Sequence, residues 1–209
     1  MGRLPLTSPA VLIGFAPMPP SCADPLALVC HPEYRGGAVR RVCARVRRIP
    51  EAILAVTYIV EGDLDRVRVP APRPPRFADR LWRHTCCEIF VARRGLPGYH
   101  EFNLSPSGEW AAYAFERYRE RAPLEALRED APEPKVAVRS TAEKLELEAL
   151  ISLGPLSPGC AHAGLSLALA TVVEDEDGAL SYWALRHPPG KPDFHHPDAF
   201  ALQLDEIRD

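Results

Sequence analysis

Apolar residues recur at every second position along much of the chain, the spacing of a half-buried β-strand. In "VCARV" (42–46), Val42, Ala44 and Val46 alternate with Cys43 and Arg45. "AILAVTYIV" (52–60) is a more continuous apolar run, rich in β-branched residues, that ends at the turn signal "EGD". "LDRVRVP" (64–70) alternates again. "TCCEIFVA" (85–92), "YHEFNLS" (99–105) and "EWAAYAFERY" (109–118) follow as strand-like runs, separated by "GLPG" and "SPSG", both good hairpin loops. "KVAVRS" (135–140), "KLELEALISL" (144–153), "GLSLALATVV" (164–173), "ALSYWAL" (179–185) and "FALQLDEI" (200–207) complete the series. The pattern predicts one short helix, "PLEALRED" (123–130), with proline at its start.

Short strands at intervals near ten residues, with turns between and almost no helix, predict an all-β fold, an antiparallel β-sandwich or flattened barrel. The absence of a βαβ rhythm argues against a parallel nucleotide-binding sheet. Residues 1–27 lack the strand rhythm and read as an irregular N-terminal extension, leaving 28–209 as the β-sandwich domain. The 23 prolines are roughly twice the average share and cluster in "PAPRPP" (70–75), "APEPK" (131–135) and "HPPGKP" (187–192). They forbid long helices there and favour short elements joined by stiff turns.

A chain of 209 residues with 46% apolar and 25% charged residues suits one globular domain with a proper core. The formal charge of −3 exerts no global pull toward nucleic acid or membrane. "VLIGFA" (11–16) is too short and proline-broken for a good secretory signal, and no stretch is long enough to span a bilayer. The expected location is the cytoplasm, with export as the alternative. The six cysteines show no CxxC and no paired metal spacing, a pattern that suits reduced, buried thiols.

No signature of catalysis is present: no P-loop, GxGxxG, GxSxG or HExxH. "SPSG" (105–108) has the chemistry of a turn rather than of a serine nucleophile. Cys86 and Cys87 lie inside a predicted strand, not at a helix N-terminus where a thiolate would be stabilised. The arginines of "RRVCARVRR" (40–48) lack interleaved aromatics and read as a guarded strand edge, not a nucleic-acid face. In "KPDFHHPDAF" (191–200), adjacent His195 and His196 cannot form the i, i+4 pair that a helix offers to zinc. This segment reads as a rigid turn delivering the last strand, and it would rim a ligand site through Lys191 and His195.

Three runs together, "LWRHTCCEIFVA", "YHEFNLSPSGEWAAYAFERYRE" and "LSYWALRHPPGKPDFHHPDAFALQL", resemble the bacterial DOMON-like domain proteins, relatives of the family 9 carbohydrate-binding modules. The likeness is carried by Trp82 before a strand, Glu88 with Phe90, Phe102 to Gly108 at a hairpin, and His196 to Phe200 at the closing turn. It covers the chain from about Leu28 onward. It implies a non-catalytic β-sandwich that holds a small ligand, a sugar or sugar-derived metabolite in the first place. By this resemblance Trp82 and Trp183 would stack on the sugar, with His84, Glu88, Glu101, Asn103, Arg186, Lys191 and His195 as polar contacts. Haem is the alternative ligand, possible by the resemblance but not favoured. The methionine ligand of haem-binding relatives is missing, since Met1 and Met18 precede the strands, so His84, His100, His187, His195 or His196 would have to serve. A third alternative, of another class, is a hydrolase or isomerase using Glu88 and His84 as acid and base.

Overall fold

The computed structural model describes residues 24–34, 37–122, 133–156 and 159–207. The strands are β1 (Leu26–Cys30), β2 (Val39–Ile49), β3 (Ile53–Gly62), β4 (Cys86–Arg93), β5 (Tyr99–Leu104) and β6 (Trp110–Arg117). They continue with β7 (Glu120–Arg121), β8 (Lys135–Ser140), β9 (Lys144–Ser152), β10 (Leu165–Glu174), β11 (Leu180–Ala184) and β12 (Leu202–Leu204). All strand pairings are antiparallel. One sheet runs β1-β2-β3-β9-β8 and the other β7-β6-β5-β4-β10-β11, and β1 joins them. Leu26–Leu28 of β1 pair with β2, whereas Val29 and Cys30 pair with β11. A strand that changes sheets in this way makes the corner of a sandwich.

The sequence pattern explains why two sheets pack. Val56, Tyr58 and Val60 of β3 and Leu145, Leu147, Ala149 and Ile151 of β9 face one buried core. Cys87, Ile89 and Val91 of β4, Phe102 and Leu104 of β5, and Leu165, Leu167 and Leu169 of β10 meet them from the second sheet. The fold is the all-β sandwich expected. The second sheet is unusual in being apolar on its outer face too, where Phe90, Tyr99, Tyr113, Phe115 and Phe194 form a separate buried cluster.

Some local expectations differ from the structure. Residues 64–70 form a short 3-10 turn, Leu64–Arg66, and then a single bridge from Val67 to Asp175 instead of a strand. The turn buries Leu64, and Pro70 cannot donate to a continuing ladder. The first strand begins at Leu26, just inside the segment read as irregular. β2 is a guarded edge only in part, because Val42–Ala44 are paired on both sides by β1 and β3. The short helix expected at 123–130 lies outside the described residues. No helix among the described residues is long and apolar enough to cross a membrane.

Candidate functional site

Strand alternation sends Glu88 and Phe90 of β4 away from the core, and likewise Tyr99, Glu101 and Asn103 of β5. On neighbouring strands the same face carries small residues, Ala111, Ala168, Ala170 and Ala184. Small side chains leave space above the sheet, and a loop folds over it. β11 pairs with β10 at Ala170–Glu174, and β12 pairs with β10 at Leu165–Leu167, so residues 185–201 leave and rejoin the same side of one strand. Prolines 188, 189, 192 and 197 stiffen this excursion.

The loop is pinned where it crosses. Asp193 accepts hydrogen bonds from the Tyr118 hydroxyl at 2.6 Å and from Arg119 Nη2 at 2.8 Å. Phe194 joins the outer apolar cluster. The His195 ring packs edge-on against Phe115 and Phe90 at 4.9 and 5.0 Å, and its Nδ1 lies 2.8 Å from the Tyr99 hydroxyl. His196 points elsewhere and caps the following 3-10 turn, accepting from the Asp198 N–H at 3.2 Å. The adjacent histidines therefore have separate structural duties. Among the described residues no group of three or more His, Cys, Asp or Glu could hold a metal ion.

Between this loop, the β6–β7 hairpin and the 3-10 turn Leu81–Arg83 lies a cavity of about 520 Å³. Glu88 and Glu101 line its floor, with Tyr182 and Val172 beside them. Trp82, Arg83, Arg119, Arg121 and His195 line the walls. Trp82 is 42% exposed, an unusual position for so large an apolar ring.

No family model matches the sequence, and no curated protein matches it. The fold is similar to the crystal structure of a protein from Bacteroides uniformis ATCC 8492 proposed to bind carbohydrate. The TM-score is 0.58 at 18% identity, covering 84% of this chain and 82% of that one. The likeness shows the fold.

The electrostatics of the floor come from burial. The Glu88 carboxyl has no hydrogen-bond or ion-pair partner among the described residues. Burial pushes it well above the usual carboxylate range, and the charge of Glu101 pushes the same way. Burial raises Glu101 as well, but the Asn103 amide donates to it at 2.5 Å and the charges of Arg121 and Arg119 favour its ionised form. His195 is driven down to about 4, by burial first and then by the positive charge of Arg119. At neutral pH the cavity thus presents a neutral imidazole and a carboxyl that favours its proton.

Of the residues singled out by sequence, Trp82, Glu88, Glu101 and His195 line this one cavity. Asn103 is buried beneath it and holds Glu101. Trp183 does not face Trp82 across a ligand. It is buried in the core between the sheets, with its indole N–H donating to Ser181 Oγ at 3.1 Å. Its neighbour Tyr182 takes the cavity side, because successive strand residues point to opposite faces. His84 is drawn away, with Nδ1 2.7 Å from Glu174 Oε2, and does not converge with Glu88 as an acid–base pair would require. Arg186 and Lys191 are exposed and stand outside the lining. Sequence reasoning missed Arg83, Arg119, Arg121 and Tyr182, although "ERYRER" (116–121) carries a dense basic and aromatic signal beside a turn.

The donor set does not fit haem. His195 is the histidine that lines the cavity; its Nδ1 is taken by Tyr99, and its Nε2 faces the Glu101 carboxylate at 3.7 Å. His187 is held by the Val29 carbonyl, His84 by Glu174 and His196 by its own turn, while His100 lines a different cleft beside Cys160. The hairpin "SPSG" is a turn, closed by the Gly108 N–H donating to the Ser105 carbonyl at 3.0 Å. Cys86 and Cys87 are free, fully buried thiols, and burial pushes Cys87 up to about 12. Neither suits a nucleophile.

Proposed function

We propose that this chain is a non-catalytic binding protein of the DOMON-like, family 9 carbohydrate-binding-module type, and that the outer-face cavity receives a sugar or sugar-derived small molecule. The observation that carries the reading is Glu88, a carboxyl only 4% exposed and without a hydrogen-bond or ion-pair partner among the described residues, which lines a cavity whose wall holds the exposed ring of Trp82. A buried polar group without a partner costs stability unless something else satisfies it. Sugar hydroxyls both donate and accept, so they satisfy a carboxyl in either protonation state. The apolar face of a pyranose suits an indole, which desolvates it while polar groups hold the rim. The fold likeness to a protein proposed to bind carbohydrate supports the same reading.

Calorimetric titration of the full chain with neutral mono- and disaccharides tests this, with Trp82→Ala and Glu88→Gln alongside. Saturable one-to-one binding that weakens about tenfold or more in Trp82→Ala is expected, the size of one good stacking contact. Binding that ignores Trp82 would sink the stacking site. A Glu88→Gln protein that binds a saccharide but loses its turnover would replace the binding reading with an acid–base one.

A further inference from the structure

The walls of the cavity carry more positive charge than the floor carries negative. Arg83, Arg119 and Arg121 line it, against Glu88 and Glu101. Arg119 is committed, with Nη2 donating to Asp193 at 2.8 Å. Arg121 and Arg83 make no ion pair with a carboxylate among the described residues. They are nevertheless held in place. The Arg121 guanidinium lies 3.7 Å from the centroid of the Tyr113 ring, and the Tyr113 hydroxyl donates to Asp79, which fixes the ring. The Arg83 guanidinium lies 5.2 Å from the centroid of Trp82. A stacked guanidinium keeps its N–H fork free for a planar or tetrahedral anion. Burial also favours the protonated form of Glu88, which reduces the negative charge an entering anion would meet.

We propose that the ligand is an anionic saccharide. Its carboxylate or phosphate is received by Arg121 and Arg83 on the wall, and its hydroxyls reach Glu88 and Glu101 on the floor. This rests on the sugar-binding reading above and adds the charge of the ligand to it. Arg121 is then the specificity residue, and Trp82 serves neutral and anionic sugars alike.

The test is calorimetry on the full chain at fixed ionic strength, with glucose, galactose and mannose, their uronates and their 6-phosphates. One anionic series should bind about tenfold or more tighter than its neutral parent, the size of one charge-assisted hydrogen bond. That advantage should collapse in Arg121→Gln, persist in Arg117→Gln, which alters a basic residue outside this cavity, and shrink with added salt. Uronates ahead of phosphates identify a carboxylate ligand, and the reverse order identifies a phosphate. If the neutral sugars bind as tightly as both anions, the inference is overturned while the sugar-binding reading stands. An anion preference that survives Arg121→Gln overturns the role of Arg121. If none of the saccharides binds, the sugar-binding reading itself falls and takes the inference with it.

Discussion

Glu88 and Glu101 are diagonal neighbours on one face of the second sheet: Asn103 lies across from Glu88, and Phe90 lies across from Glu101. Two carboxyls so placed in a buried floor cannot both ionise cheaply. Glu101 has the amide of Asn103 and the charges of Arg121 and Arg119, so Glu88 is the one that keeps its proton. A carboxyl whose folded-state pKa is raised makes the native state bind more protons than the unfolded chain. Its contribution is therefore fully present below the ordinary value of 4.5 and is lost as pH rises through the folded pKa. Thermal unfolding of Glu88→Gln should show a higher Tm than the parent at neutral pH, with the difference closing toward pH 4. Parallel Tm-versus-pH curves for the two proteins would show that Glu88 titrates as an ordinary surface acid.

The tryptophans should separate binding from stability. Trp82 is 42% exposed on the cavity wall, whereas Trp183 is 6% exposed in the core. Trp82→Ala should leave the denaturant midpoint close to the parent. Trp183→Ala removes a large core side chain and should cost about 3–5 kcal/mol. Urea unfolding of both variants checks this, and a larger loss in Trp82→Ala than in Trp183→Ala would reverse the assignment of faces.

Gly98 closes the β4–β5 hairpin that carries Glu88 and Glu101. Its φ is +86°, and an added Cβ would stand 2.7 Å from the Phe115 carbonyl oxygen on the neighbouring strand. Both the conformation and the space refuse a side chain. Gly98→Ala should destabilise the fold by about 1–3 kcal/mol, in the range of steric and positive-φ effects. The Tm of this variant should fall by several degrees; an unchanged Tm would mean that the hairpin relaxes freely.

Period-two alternation was enough to read most strands and the sandwich itself, because one face of nearly every strand meets the shared core. It failed where both faces are covered. On β11, Leu180, Tyr182 and Ala184 face the cavity side and Trp183 faces the core, so apolar residues stand on both faces, and the one polar residue of the strand, Ser181, points inward beside Trp183 instead of marking an outer face. The family resemblance pointed to Trp183, and the alternation of β11 offered nothing to set Tyr182 against it. The 64–70 run alternates like a strand, yet Leu64 is buried by a 3-10 turn and only Val67 finds a bridge partner, a tertiary outcome that local pattern does not encode. Glu88, Glu101 and Trp82 were reached through the family resemblance rather than through periodicity. Arg119 and Arg121 were not, since β7 is only two residues long and its place over the sheet depends on the hairpin that brings it back.

His195 supplies a pH dependence opposite in sign to that of Glu88. Its pKa falls from an ordinary 6.5 to about 4, through burial and the neighbouring charge of Arg119, so the native state binds fewer protons than the unfolded chain between those values. Stability from this group is fully present above the unfolded value and is lost as pH falls from about 6.5 toward 4. His195→Gln cannot titrate, and its Tm should fall less than that of the parent over that interval. The same depressed pKa keeps the imidazole neutral at pH 7, where it adds no charge to the cavity, and among the described lining residues the positive field comes from Arg83, Arg119 and Arg121. A histidine proton resonance in the native protein that titrates near 4 and is absent from His195→Gln would confirm both statements. A His195 resonance titrating near 6.5 would mean that the ring reaches solvent and that the 185–201 loop does not seal the cavity.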